Sequence, residues 1–397
     1  MQTDIRNEKF VSGKTRIKYG GAFIAEEERK AIDSVLDRNW WTLDEQGRKM
    51  EEELAQKTGV MHAVLTNSGS SALLLAVTAL EMKKGSEVII PALNFPTAVS
   101  ACLYNNLIPV FVDVDPETYC IKIDEIEAAI SDKTEAIMIV NIAGNLPDMD
   151  RIQEIAKKHN LKTIVDNCDG YGSTWDGQFS EKVCTISTTS FHAAHILAMG
   201  EGGAVFTDNY DLAKRVKSLR EWGRAADNDA SIKSSELPDD YPARYTYITR
   251  GFNVKPLELQ AAMGRVQLTK LDMIKEARRK NFDLLHDGLS KLSDKITLAS
   301  VHDKSDISWF SFPFTIKETG QRKKLMDFLE ARNIETRVIF AGNVIRQPAY
   351  QNINYRKISD LKNSDKIMYD SIFVSVHPSI TEEMIQYVIQ SITEFFA

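Results

Sequence analysis

Short apolar runs alternate with longer amphipathic stretches through the first half of the chain. The runs are rich in Val and Ile, and they lie at 62–66, 87–91, 108–114, 136–141 and 162–167. The stretches between them have the spacing of helices, as at 71–83, 122–131 and 148–159. Strands of a buried parallel sheet are continuously apolar, not alternating. The pattern predicts repeated β-α units and therefore an α/β fold with a mostly parallel, doubly wound sheet.

The alternation ends near residue 207, and the second half has a different pattern. A polar segment at 225–240 and a tyrosine-rich segment at 241–252 predict a long functional loop. A helical pattern from about 260 then leads into alternating strands and helices, with apolar runs at 308–316 and 371–377. We expect a large α/β domain with an N-terminal arm over 1–260 and a small α+β domain over 261–397.

Composition narrows the class of protein without naming a function. The 397 residues are 43% hydrophobic and 26% charged, as in ordinary globular proteins. A formal net charge of -7 without a basic block disfavours nucleic acid as a partner. The sequence has no long apolar run and no signal-peptide core, so we expect a cytoplasmic protein without membrane segments. The four cysteines lack C-x-x-C spacing, which predicts buried, reduced thiols at Cys102, Cys120, Cys168 and Cys184.

Two candidate sites follow predicted strands. Small residues at 67–71, including Gly69 and Ser70, precede an apolar helix and are typical of an anion site at a helix N-terminus. A simple helix N-cap is the alternative, and for this motif taken alone it is the more common explanation. Asp166 ends the run at 162–167, at the edge of the sheet where open α/β folds bind ligands. Its carboxylate could keep a pyridine nitrogen protonated, and a turn or cap residue is the alternative.

The segment from Ser187 to Gly203 carries the most specific pattern. It contains Ser190-Phe191 followed by His195 and then Gly200-Glu201-Gly202-Gly203. This resembles the cofactor segment of the DegT-type sugar-nucleotide aminotransferases, with His195 where that family keeps its cofactor-binding lysine. The resemblance implies a fold-type I enzyme dependent on pyridoxal 5'-phosphate (PLP).

The resemblance also implies roles for other residues and covers nearly the whole chain. It places Gly69, Ser70 and Ser190 at the cofactor phosphate, Phe95 on the cofactor ring and Asp166 at the pyridine nitrogen. Asn253 is implied to reach the phosphate from the neighbouring subunit, so a homodimer with shared active sites is expected.

Histidine in the lysine's place changes the expected chemistry. Imidazole cannot bind the cofactor covalently, so the cofactor is free to persist as pyridoxamine 5'-phosphate (PMP), while His195 can still move a proton near neutral pH. This replacement resembles the family branch of 3-dehydratases, which remove the C3 hydroxyl of nucleotide-linked 4-keto-6-deoxyhexoses. Asp169, where aminotransferases commonly have glutamine, and the segment 241–247 resemble the same branch. For Asp169 alone, a solvated turn residue is the alternative.

One group within that branch carries a cysteine-rich insert for an iron-sulfur cluster after a Trp-Gly-Arg motif. Here the motif at 222–224 is followed by 225–229 without a cysteine. The chain therefore resembles the cluster-free group, which implies GDP-4-keto-6-deoxy-D-mannose as substrate and L-glutamate as amino donor.

The resemblance also implies contacts with the sugar or its diphosphate for Trp41, Tyr247, Arg250 and Lys255. The alternative is that these four residues belong to an ordinary aromatic or charged surface. Two other functions stay open. One is an aminotransferase in which histidine has replaced the lysine, and the other is a non-catalytic, PLP-binding regulatory protein.

Overall fold

The computed structural model describes residues 10–225 and 236–397. Its helices are α1 (Glu26–Leu36), α2 (Glu45–Thr58), α3 (Gly69–Ala79), α4 (Pro96–Tyr104), α5 (Ile123–Ala129), α6 (Met149–His159), α7 (Tyr210–Arg220), α8 (Glu258–Thr269), α9 (Leu271–Leu289), α10 (Arg322–Glu330), α11 (Lys362–Asp370) and α12 (Glu382–Phe396). Its strands are β1 (His62–Thr66), β2 (Glu87–Pro91), β3 (Ile108–Val112), β4 (Thr134–Val140), β5 (Lys162–Asp166), β6 (Thr174–Trp175), β7 (Gln178–Phe179), β8 (Ile186–Ser190), β9 (Gly203–Thr207), β10 (Ile296–Leu298), β11 (Ser305–Asp306), β12 (Ser311–Ile316), β13 (Arg356–Lys357) and β14 (Ser371–Ser375).

The main sheet has eight strands in the order β1-β9-β8-β5-β4-β2-β3-β13. Strands β8, β5, β4, β2, β3 and β13 are parallel to one another. Within this sheet, β9 is antiparallel to both of its neighbours, β1 and β8. All five apolar runs of the first half form strands of this sheet. Helix α6 begins as predicted, because the Asp148 side chain accepts a hydrogen bond from the Arg151 N–H at 3.1 Å.

The C-terminal part builds a second, antiparallel sheet in the order β10-β12-β14. Backbone pairings join the C-terminal part to the rest of the chain. Strand β13 lies beside β3 in the main sheet, β11 pairs with β6, and Ile17 of the N-terminal arm pairs with Ile334. The division into domains at residue 260 falls inside α8 and stays a prediction. Among the described helices, none is both long and apolar enough to cross a membrane.

Candidate active site

A cavity of about 380 Å³ lies where five strands of the main sheet end. It is lined by residues that follow β1, β2, β4, β5 and β8, and by aromatic side chains of the C-terminal part. The C-terminal edge of an open α/β sheet is the usual place for a ligand. Seven of the predicted site residues line it together: Gly69, Ser70, Phe95, Asp166, Asp169, Ser190 and His195.

The turn before α3 forms one end of the cavity. The Ser68 side chain caps the helix by accepting a hydrogen bond from the Ser71 N–H at 3.1 Å. Gly69 lies against Ser190, since a Cβ added to the glycine would be 2.6 Å from the Ser190 Cβ. The first N–H groups of a helix have no partner within it, and the helix dipole favours an anion there. Both the N-cap and the anion-site interpretations therefore describe this turn.

Replacement of Gly69 by alanine tests the anion site. The new methyl group would also come within 2.9 Å of the Cys168 Sγ, so the turn must shift away from Ser190. Such overpacking costs about 1–3 kcal/mol, and we expect phosphate-bearing cofactor to bind about tenfold more weakly or worse. Fluorescence titration with PLP measures the affinity, and circular dichroism checks the fold. A Gly69→Ala protein with wild-type affinity would argue that the turn holds no phosphate.

Asp166 presents a buried carboxylate to the cavity. It ends β5, it is 6% exposed, and its Oδ1 accepts a hydrogen bond from the Cys168 N–H at 3.2 Å. Burial raises the pKa of Asp166, because desolvation disfavours the charged form. A cationic N–H in the cavity would favour the charged carboxylate. The site therefore fits a ligand that carries a protonated ring nitrogen and, at the α3 end, a phosphate.

His195 and Asp169 face each other in the same cavity. The His195 Nε2 lies 3.7 Å from the Asp169 Oδ1, while its Nδ1 is buried without a hydrogen-bond partner among the described residues. Burial lowers the pKa of His195 to about 3 and raises that of Asp169 to about 7. The imidazole is thus neutral at neutral pH and free to accept a proton. Asp169 is only 4% exposed, so the alternative of a solvated turn residue is wrong.

Five predicted site residues lie outside this cavity: Trp41, Tyr247, Arg250, Asn253 and Lys255. They lie on a face of the molecule where segments 41–42, 221–224 and 247–257 meet through backbone contacts. The Lys255 Nζ donates to the Asn253 Oδ1 at 2.9 Å and lies 3.5 Å from the centre of the Trp222 ring. Residues 226–229, which follow the Trp-Gly-Arg motif without a cysteine, lie outside the described residues.

Sequence reasoning missed the part of the cavity that the arm and the C-terminal half contribute. Tyr19, Phe310, Phe340, Phe373 and Arg337 all line it. The Arg337 guanidinium lies 4.1 Å from the centre of the Tyr19 ring. No local motif marks these residues, because folding brings Tyr19 together with residues that lie at least 291 positions later in the chain.

Cys168 also departs from its predicted burial. It lines the cavity and is partly exposed, as is Cys184 elsewhere, whereas Cys102 and Cys120 are buried as predicted. All four are free thiols. Burial raises the pKa of Cys102 to about 12 and also raises those of Cys120, Cys168 and Cys184.

The fold and this cavity are those of an aminotransferase-like α/β enzyme. The chain belongs to the DegT/DnrJ/EryC1/StrS aminotransferase family, whose model matches residues 22–393. The family and fold class predicted from the segment around His195 and from the apolar runs are thereby confirmed.

Two relatives share 40% identity with the chain. One is the lipopolysaccharide biosynthesis protein RfbH of Salmonella typhimurium, and the match covers 98% of this chain and 93% of the relative. The other is the dTDP-4-dehydro-2,6-dideoxy-D-glucose 3-dehydratase of Saccharopolyspora spinosa, with 98% and 88% covered.

Solved structures of GDP-4-keto-6-deoxymannose-3-dehydratase are also similar. A histidine-to-asparagine mutant with bound GDP-perosamine has a TM-score of 0.89 at 28% identity, covering 95% of this chain and 100% of that one. A form with a trapped PLP-glutamate geminal diamine has a TM-score of 0.88 at 28% identity, covering 94% and 99%.

Proposed function

We propose that this protein removes the C3 hydroxyl of a nucleotide-linked 4-keto-6-deoxyhexose. The net reaction converts the sugar and L-glutamate into a 3-deoxy-4-keto sugar, 2-oxoglutarate and ammonia. The observation that carries this proposal is His195, a buried neutral base in a cavity that also presents Asp166 and a helix N-terminus. A base without a primary amine suits proton transfer but not covalent capture of the cofactor.

The cavity residues would hold PLP or PMP without a covalent bond. Gly69, Ser70 and Ser190 lie where a phosphate would meet the start of α3, and Asp166 would pair with the pyridine nitrogen. Phe95 is 47% exposed at the cavity wall, which leaves its ring face available for stacking. The bound cofactor supplies an amine for the C4 ketone and an acceptor for the electrons that displace the C3 hydroxyl.

His195 would take a proton from the methylene carbon of PMP. Its neutrality supports this role, because an imidazolium cannot accept a proton. Asp169, at 3.7 Å, would stabilise the imidazolium once it forms. The amino donor is a dicarboxylate, and Arg337, with its side chain 44% exposed beside the cavity, is a suitable partner for a carboxylate.

We propose GDP-4-keto-6-deoxy-D-mannose as the substrate and chemistry without an iron-sulfur cluster. Cluster ligands are cysteine thiolates, and the segment 225–229 after the Trp-Gly-Arg motif contains no cysteine. No group of three or more metal-binding side chains forms within residues 10–225 and 236–397. The relative at 40% identity that is named for a dTDP-linked sugar favours a second candidate substrate of that nucleotide.

A substrate panel tests the reaction and the nucleotide together. The protein, loaded with PLP and supplied with glutamate, is incubated with GDP- and dTDP-linked 4-keto-6-deoxyhexoses. We expect a 3-deoxy-4-keto product, seen by mass spectrometry, and faster turnover of the GDP-linked sugar. Faster turnover of the dTDP-linked sugar would contradict the choice of GDP as the nucleotide but leave the proposed reaction intact. No deoxygenation of any sugar in the panel would overturn the reaction.

A homodimer would complete the active site. Large apolar side chains are exposed along the face that carries Asn253, among them Trp41, Trp222, Phe252 and Leu257. Several large, exposed apolar side chains on one face are typical of a subunit interface. We propose that Asn253 and its neighbours Tyr247, Arg250 and Lys255 reach the cavity of the partner subunit.

Subunit mixing tests this arrangement. His195→Asn and Asn253→Ala proteins are each expected to be strongly impaired, and co-refolding them should restore about one quarter of wild-type activity. Random pairing makes half of the dimers mixed, and each mixed dimer has one of its two sites with both native residues. About one quarter of all sites are therefore native. Turnover is compared with that of each variant refolded alone. If mixing restores nothing, Asn253 serves the cavity of its own subunit or none.

A further inference from the structure

Arg278 lies buried behind His195, and the mechanism above does not use it. It belongs to α9 and is 1% exposed. Its Nη1 donates to the carbonyl oxygens of Trp309 and Phe310 at 3.3 and 2.8 Å, and its Nη2 donates to that of His195 at 3.5 Å. All three acceptors are neutral backbone groups. A buried guanidinium that lacks a hydrogen-bonded carboxylate is costly, and this is a feature that clusters at functional sites.

These hydrogen bonds join the two parts of the chain at the cavity. The His195 carbonyl belongs to the loop between β8 and β9, whereas Trp309 and Phe310 immediately precede β12 of the second sheet. The Phe310 ring packs edge-on against the His195 imidazole, with ring centres 5.4 Å apart. The Phe310 N–H in turn donates to the Ala143 carbonyl at 3.0 Å. One guanidinium thus fixes both the backbone of His195 and a wall of its ring.

The charge of Arg278 also acts on the groups around it. Burial is the main cause of the lowered pKa of His195, His192 adds to it, and Arg278 contributes in the same direction. Arg278 lowers the pKa of the buried His377 and opposes the rise in that of Asp169. The other charged groups that line the cavity are Asp166, Glu201 and Arg337.

We propose that Arg278 is a positioning residue for His195: its guanidinium holds the His195 loop against Phe310. The inference rests on the function proposed above, because it assigns the proton transfer to His195. Lysine at this position would keep the charge but could not match the forked geometry that reaches three carbonyl oxygens.

Two variants and a matched control separate these contributions. Arg278→Met removes both the charge and the forked hydrogen-bonding geometry of the guanidinium, whereas Arg278→Lys removes the forked geometry alone. The control, Arg279→Met, removes an exposed arginine of the same helix. The first readout is turnover of the cofactor-loaded enzyme across pH. The second is the NMR titration of the His195 ring in the full chain, assigned with His195→Asn, and it needs no turnover.

Activity requires neutral His195, so it is lost as pH falls through the pKa of that residue. Loss of a nearby cation raises this pKa, so in Arg278→Met the acid limb and the His195 titration should both move to higher pH. Arg278→Lys should keep both values but turn over at least tenfold more slowly, and Arg279→Met should match the wild type.

An unchanged His195 titration in Arg278→Met would overturn the effect on charge. Wild-type turnover in Arg278→Lys would overturn the positioning role. If Arg278→Met fails to fold, Arg278→Lys alone still tests that role. A shifted titration in a protein that dehydrates no sugar would instead count against the proposed function.

Discussion

Replacement of His195 by asparagine should abolish C3 deoxygenation while cofactor binding stays nearly intact. Asparagine fills a similar volume but cannot accept a proton at neutral pH. Removal of a general base costs about 10²–10⁴-fold in rate. The groups proposed to hold the cofactor, Asp166, Ser190 and the start of α3, are unchanged. Turnover is measured by product mass spectrometry, and affinity by fluorescence titration with PLP.

His159→Asn is the matched control, because that histidine is on the surface beside Glu127, away from the cavity. It should turn over like the wild type. If His195→Asn keeps more than about a tenth of wild-type turnover, another group moves the proton. If it loses cofactor as well, His195 has a binding role that the arrangement of the cavity does not explain.

Replacement of Asp166 by asparagine should weaken cofactor binding and nearly abolish turnover. Hydrogen bonds to charged groups contribute about 1.5–3 kcal/mol, so affinity should fall about 10–100-fold. Turnover should fall by a further 10²–10³-fold, roughly the effect of removing one electrostatic stabiliser from an active site. Both are measured by the assays used for His195→Asn, at saturating cofactor.

Asp176→Asn controls for the same chemical change. Asp176 lies in an exposed turn with a φ of +48°, a conformation that asparagine tolerates well. It should leave affinity and turnover unchanged. Wild-type turnover in Asp166→Asn at saturating cofactor would show that the buried carboxylate takes no part in electron withdrawal.

Much of the main sheet could be predicted, because strands buried on both faces are continuously apolar. Strand β8 escaped this reasoning, since Ser187, Thr188 and Thr189 are polar and yet fully buried. Their environment explains this: the Thr189 hydroxyl, for example, donates to the Asn167 carbonyl at 3.0 Å. Ser187 donates likewise to the Glu181 carbonyl at 3.5 Å, whereas the Thr188 Oγ1 has no hydrogen-bond partner among the described residues. Contacts made only in the folded chain decide the burial of these side chains, and composition along the strand does not reveal them.

The candidate site also has a part that could be predicted from the sequence and a part that depends on contacts in the folded chain. Its large-domain half, with Asp166, Ser190 and His195, follows strand ends in one stretch of chain and could be found from motifs. The other half, with Tyr19, Arg337 and the buried Arg278, depends on how the arm and the C-terminal part pack against the sheet. The pKa of His195 was also unpredictable from the sequence, because its main cause is burial.

The product of a single incubation with GDP-4-keto-6-deoxy-D-mannose, glutamate and PLP tests the central proposal most directly. Dehydration predicts a sugar lighter than the substrate by the mass of one oxygen atom, with ammonia and 2-oxoglutarate each formed in equal amount to it. An amino sugar formed without ammonia release would contradict the proposal and identify the protein as an aminotransferase.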